Sequence, residues 1–157
     1  MTKKELKITY TEYAELQEMS EADQELVKKA VEATKGSYAP YSNFNVGAAV
    51  KLSNGEVVTG ANQENNAYPS GLCAERTAMF HANYQYPEAK MQTIAIAAAQ
   101  NGIVCDKPIS PCGACRQVMA EYQRKGGEPM RVILYGEDHI MLFDSVEDIL
   151  PYIFDAI

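Results

Sequence analysis

Apolar positions recur along this chain at two spacings, one helical and one strand-like, and their order predicts a mixed α/β protein. Leu26, Val27, Ala30 and Val31 repeat at helical spacing behind the cap-like pair Ser20 and Asp23, and Lys35-Gly36 stops that helix. Two short strand-like runs follow, Val46 to Leu52 and Val57 to Ala61, joined at Asn54-Gly55, a pair favoured in tight type I′ turns. A second helix is expected near Cys73, where Ala74, Ala78, Met79 and Ala82 make one small apolar face. Thr93 to Ala99 is nearly all apolar and fits a strand covered on both sides. Pro111-Cys112 opens a third helix, with Ala114, Val118, Met119 and Tyr122 inward and Gly126-Gly127 as its stop. Strands at Val132 to Tyr135 and Ile140 to Phe143 come next. Ser145 with Asp148 then caps a last short helix, close to the disturbing Pro151.

Helices alternating with a mostly buried sheet imply a three-layer α/β/α sandwich, here on a mixed five-stranded sheet. No repeat, low-complexity tract or break in composition marks a linker, so residues 20–157 read as one domain. Residues 1–19 are polar with scattered Tyr and Ile, and are expected to form a short strand or an arm. A length of 157 residues suits this organisation. The net charge of −7 argues against a nucleic-acid partner, which would call for a basic face, and leaves a small neutral substrate open. No stretch is long and apolar enough to span a bilayer, and no apolar run follows the basic start as a signal peptide would require. No membrane partner and a cytoplasmic location are expected.

Composition says little about chemistry; the cysteines say more. Cys73, Cys105, Cys112 and Cys115 are even in number and could pair as two disulfides in an oxidising compartment. In a reduced cytosol, a C-x-x-C with a third Cys upstream reads better as a metal or redox site. Cys112 and Cys115 fall at i and i+3 of a first helical turn, so both thiolates can face one ion. The free N–H groups of that turn stabilise them. Cys73 at the start of another helix supplies a third ligand, and three protein ligands leave a tetrahedral position open, as in catalytic zinc sites. Glu75 follows Cys73 too closely to ligate comfortably beside it and is placed to move protons instead. Cys105 belongs to no motif, and His81 and His139 lack partners suited to metal binding.

Cys73-x-Glu75 with Pro111-Cys112-x-x-Cys115 matches the signature of zinc nucleoside and nucleobase deaminases. Over Ser37 to Gln117 the chain resembles the small, homotetrameric, three-cysteine class of the cytidine deaminase family. The matching segments are Tyr38-Ala39-Pro40-Tyr41-Ser42, Phe44-Asn45-Val46-Gly47-Ala48-Ala49, Gly60-Ala61-Asn62-Gln63-Glu64-Asn65, Cys73-Ala74-Glu75-Arg76-Thr77-Ala78 and Pro111-Cys112-Gly113-Ala114-Cys115-Arg116-Gln117. The resemblance implies one Zn²⁺ per chain on Cys73, Cys112 and Cys115, with Glu75 as acid and base. It implies deamination of cytidine and 2′-deoxycytidine as a step of pyrimidine salvage. By the same resemblance Asn62 and Glu64 bind the ribose 3′-hydroxyl, Phe44 and Tyr68 line the nucleoside pocket, and the Ala74 N–H meets the base. Phe154 is expected to enter a neighbouring subunit's site in a homotetramer. Arg76 and Gln117 are candidates to hydrogen-bond the thiolates and draw off part of their charge. One departure is Asn66, where many relatives carry a small apolar residue.

Three other functions fit parts of the pattern. A deaminase of another pyrimidine-like nucleoside, such as blasticidin S, would keep the zinc residues. A polynucleotide-editing deaminase would need a basic groove with stacking aromatics, and this acidic chain has no Trp. A catalytically dead zinc-binding module would have no use for an intact Glu75 beside an open coordination site.

Overall fold

Along the central strands, successive residues pack in opposite directions. Ala48, Val50, Ile94, Ile96, Val132 and Leu134 belong to one buried cluster, while the intervening Ala49, Ala95, Ala97 and Ile133 belong to another. This two-residue period is what a sheet covered on both faces requires. The computed structural model describes residues 1–155. Its strands are β1 (Thr11–Tyr13), β2 (Phe44–Leu52), β3 (Val57–Ala61), β4 (Met91–Gln100), β5 (Ile103–Val104), β6 (Arg131–Tyr135) and β7 (Ile140–Phe143), and its helices are α1 (Glu21–Ala33), α2 (Ala74–Gln85) and α3 (Gly113–Gly126). The sheet order is β1-β7-β6-β4-β2-β3, with β5 paired to the end of β4.

Helix α1 covers one face through Leu26, Val27 and Ala30. Helices α2 and α3 cover the other through Ala74, Ala78, Met79, Ala82, Cys115, Met119 and Ala120. The three-layer α/β/α arrangement is thus as the periodicity predicts. Ile94, Ile96, Leu134 and Met119 are essentially fully buried, and each such side chain contributes roughly 1.5–3 kcal/mol through burial.

Pairing directions decide where the helices begin. Strand β2 is antiparallel to both β3 and β4, so β3 and β4 point the same way; β6 is parallel to β4. Helix α2 connects β3 to β4 and α3 connects β4, by way of β5, to β6. Both crossovers therefore start at the carboxyl ends of like-directed strands, where ligands of α/β sheets usually bind.

Four expectations need correction. The sheet has seven strands, not five: β1 and β5 are added. Strand β1 pairs with β7 (Thr11 opposite Leu142, Tyr13 opposite Ile140), and the Tyr10 ring packs on Phe143 at 5.3 Å. Its alternation is faint because it lies at an exposed edge, and β5 is two residues long. The β2–β3 connection is not a two-residue type I′ turn. Only Gly55 is left-handed (φ 90°), while Gly55 N donates to Leu52 O and Leu52 N to Glu56 O. That is the pattern of a three-residue loop whose last residue supplies the positive φ. Ala114 is exposed; the inward stripe of α3 is Cys115 and Met119, with Val118 and Tyr122 partly buried. Ser145 and Asp148 do form a capping box, but it closes only a 3-10 turn over Val146–Asp148, with Pro151 three residues on.

Candidate active site

Cys73 and Cys112 occupy equivalent places, each the residue just before the first turn of its helix, α2 and α3 respectively. Cys115 lies one turn into α3 and is fully buried. The two crossovers bring these helix starts together on the same face of the sheet. Cys73 Sγ lies 3.9 Å from Cys112 Sγ, and Cys112 Sγ lies 3.6 Å from Cys115 Sγ. The three sulfurs lie within 4.8 Å of one another, and all four cysteines are free thiols, so the disulfide alternative is not realised. Tetrahedral zinc with bonds near 2.3 Å holds its sulfurs about 3.8 Å apart. The cluster fits that ion.

The charge arrangement fits as well. Arg76 Nη2 donates to Cys73 Sγ at 3.7 Å, and the Arg76 Nε is the one buried side-chain nitrogen or oxygen without a partner among the described residues. A spare donor beside three sulfurs suits a centre where one dication against three thiolates leaves net negative charge. The hydrogen bond from Cys115, opposed by burial and helped by Arg76, holds the Cys73 thiol down at about 5. Cys115, which gives that hydrogen bond, is pushed well up. Glu75 is only 4% exposed. Burial, reinforced by the charge on Cys73, raises its carboxyl above the usual carboxylate range despite hydrogen bonds from its own N–H and Cys115.

A cavity of about 650 Å³ opens onto these groups. Its lining includes Cys73, Ala74, Glu75, Arg76 and Cys112 together with Phe44, Asn62, Glu64 and Tyr68. Its apolar wall adds Val46, Ile96 and Ile109, which the sequence offered no reason to separate from ordinary core residues. Ser110 also lines it, just before the Pro111-Cys112 motif. Asn66 does not line the cavity, whereas its neighbour Asn65 does.

Asn62 and Glu64 are held by a network that the motifs did not disclose. Asn62 Oδ1 accepts from Ser37 Oγ at 2.6 Å and Val46 N at 2.7 Å, and its Nδ2 donates to Phe44 O at 2.9 Å. One amide hydrogen is left over. Glu64 accepts from Tyr41 N at 2.9 Å and from the Ser42 hydroxyl and N–H, and these bonds hold its carboxyl below the ordinary range. A hydroxyl between the two side chains could donate to Glu64 and accept from Asn62.

Two candidates stand elsewhere. Phe154 is 67% exposed and does not line its own chain's cavity. Gln117, one of the two residues read as tuning the thiolates, commits its amide to the Phe154 backbone rather than to sulfur. The reason is geometric: Gln117 lies two residues beyond the buried Cys115 and, like Arg116 beside it, faces the C-terminal segment.

Residues 20–126 match the family model of the cytidine and deoxycytidylate deaminase zinc-binding region, about two-thirds of the chain. The chain belongs to this family. Among its relatives in that deaminase family, the cytidine deaminase of Halalkalibacterium halodurans is 50% identical over 100 residues, covering 62% of this chain and 70% of that protein. The probable cytidine deaminase of Dictyostelium discoideum is 35% identical over 136 residues, covering 84% and 86% respectively. The crystal structure of cytidine deaminase from Burkholderia pseudomallei superposes with a TM-score of 0.70 at 38% identity, over 87% of this chain and all of that one. Deaminase family membership accounts for the zinc-binding segment. No helix among the described residues is long and apolar enough to cross a membrane.

Proposed function

We propose that this chain hydrolyses free cytidine and 2′-deoxycytidine to uridine and 2′-deoxyuridine, releasing ammonia. The observation that carries this reading is one cavity lined by Cys73 and Cys112 of the three-sulfur cluster, by the buried Glu75, and by Asn62 and Glu64. Zinc held by Cys73, Cys112 and Cys115 supplies the Lewis acidity that makes water a competent nucleophile near neutral pH. Glu75 takes a proton from the attacking water and passes it to ring N3. It then carries the second proton to the departing amino group, so that C4 gains an oxygen and loses ammonia. The Ala74 N–H, at the start of α2, faces the base, and Phe44 and Tyr68 pack beside it. Asn62 and Glu64 take the 3′-hydroxyl, and the carboxylate of Glu64 disfavours a phosphodiester there. Nucleosides of both sugars are therefore the substrates, and nucleic acid is not.

The same reading includes a homotetramer in which Phe154 of one chain enters the site of another. It is supported by the exposure of Phe154 outside its own cavity, and by Phe80 and Tyr84, which leave an apolar strip one turn apart on the outer side of α2. A cytoplasmic setting is compatible with the free thiols.

The test is an absorbance assay against cytidine, deoxycytidine, cytosine, CMP, blasticidin S and a cytidine-containing oligonucleotide, run beside Glu75→Gln. Turnover of the first two alone, and a loss of at least about a thousandfold in kcat for the variant with zinc retained, is expected. Selective turnover of blasticidin S or of the oligonucleotide would move the chain to another deaminase class.

A further inference from the structure

The side-chain amide of Gln117 closes a two-bond ring on the backbone of Phe154. Its Nε2–H donates to Phe154 O at 2.8 Å, and Phe154 N–H donates to its Oε1 at 3.2 Å. A neighbouring β-strand satisfies a residue's two backbone groups in this manner; here a single side chain does so. The Phe154 ring itself stays in solvent, while Leu150 and Ile153 before it pack inward against the core beneath α2 and α3. Helix α3 also holds the approach to this point. Arg116 Nη1 donates to Ile149 O at 2.8 Å, and Gln123 Oε1 accepts from Val146 N at 3.0 Å. The segment is thus fastened along α3 up to the aromatic residue, whose backbone is fixed and whose ring is free.

A ring destined for its own core would be fixed by packing and would not need its backbone clamped at an exposed site. We infer that Gln117 is a positioning residue: it presents Phe154, already ordered, for insertion over the base in a neighbouring copy's cavity. This inference rests on the shared-site reading above. Pre-ordering removes from the binding step the entropic cost of fixing the segment. It also gives α3 two duties at its N-terminal end, with Cys112 and Cys115 serving the chain's own site and Gln117 serving its neighbour's.

Gln117→Ala should keep one zinc per chain and raise KM about tenfold, with kcat within about threefold of wild type, because two net hydrogen bonds to the segment are lost. Gln117→Glu keeps the acceptor for Phe154 N–H but opposes Phe154 O, and should move KM the same way; it serves if the Ala variant does not assemble. Tuning of the thiolates by Gln117 would instead lower kcat with KM unchanged. The deciding experiment mixes Glu75→Ala with Gln117→Ala chains in tagged, purified hetero-oligomers, beside a Glu75→Ala and Phe154→Ala control. In the first mixture, sites with an intact Glu75 sit in chains lacking Gln117 but receive Phe154 from chains that have it. With substrate held well below KM, activity several-fold above the mean of the parents in both mixtures supports the inference. Recovery in the control alone leaves the shared site standing and overturns the role of Gln117. Recovery in neither overturns both, and a wild-type KM in Gln117→Ala overturns the inference by itself.

Discussion

Arg76 Nη2 lies 3.7 Å from Cys73 Sγ, on the first turn of the helix that Cys73 begins. We propose that the guanidinium draws charge from the sulfur and so limits how far three thiolates would blunt a zinc held there. Arg76→Gln should keep the metal and lower kcat by roughly 10–100-fold, the usual range for groups that hydrogen-bond a metal ligand. Elemental analysis beside steady-state kinetics checks this. An unchanged kcat at full zinc content would remove Arg76 from the electrostatics of the site.

Metal content itself is the second expectation. One zinc per chain should copurify, and Cys112→Ala or Cys115→Ala should lose both metal and turnover. Stripping the wild type with a chelator should abolish activity and lower the melting temperature, since an ion bound only by the folded state stabilises it. Full activity in a preparation shown to be metal-free would falsify the assignment.

A third expectation concerns acid stability. Arg131 on β6 grips Asp23 at the start of α1 with bonds of 3.0 and 2.8 Å. Burial alone would raise the Asp23 carboxyl, but the bonds from Arg131 and Ser20 outweigh it and hold the carboxyl below its usual range. A carboxyl depressed in the folded state contributes stability above its unfolded pKa, near 3.9, and loses it as pH falls through the lower folded value. Asp23→Asn should therefore cost about 2 kcal/mol at pH 7. The gap from wild type should narrow below about pH 4. Urea titrations at pH 7 and pH 3 measure it, and an equal gap at both would show that the ion pair is not the cause.

The fourth lies at Gly60 on β3. A Cβ there would come within 2.4 Å of Ala78 N and 2.9 Å of Ala74 O, backbone atoms of the helix that carries Glu75 and follows Cys73. Gly60→Ala has to push α2 outward, at a cost of about 1–3 kcal/mol for overpacking. Zinc affinity should fall with it, because Cys73 moves away from Cys112 and Cys115. Denaturation and metal competition report the two effects separately; loss of stability with unaltered zinc affinity would uncouple α2 packing from the site.

Local sequence determined a good deal of this protein. Residues Thr93 to Ala99, nearly all apolar, fit a strand covered on both sides, and the period through Leu26, Val27, Ala30 and Val31 fits a helix with one buried side. Caps are equally local: Ser20 accepts from Asp23 N, and Cys73 and Cys112 stand at helix starts where free N–H groups favour thiolates. The spacing of Cys112 to Cys115, with Cys73 upstream, therefore pointed to a metal site before any fold was known. Tertiary structure decided what depends on residues far apart in the chain. Edge strand β1 forms only because β7 is there to pair with it, and residues 11–13 carry no strong pattern of their own. Ser37 and Ser42 matter because β-sheet register brings Asn62 and Glu64 to them, 25 and 22 residues away. Gln117 sits beside the cysteines in sequence, which suggested a partner in sulfur, yet its position on α3 turns its amide to Phe154, 37 residues on. Spacing along a helix tells which side chains share a face; what that face meets is set by packing between segments that the sequence leaves apart.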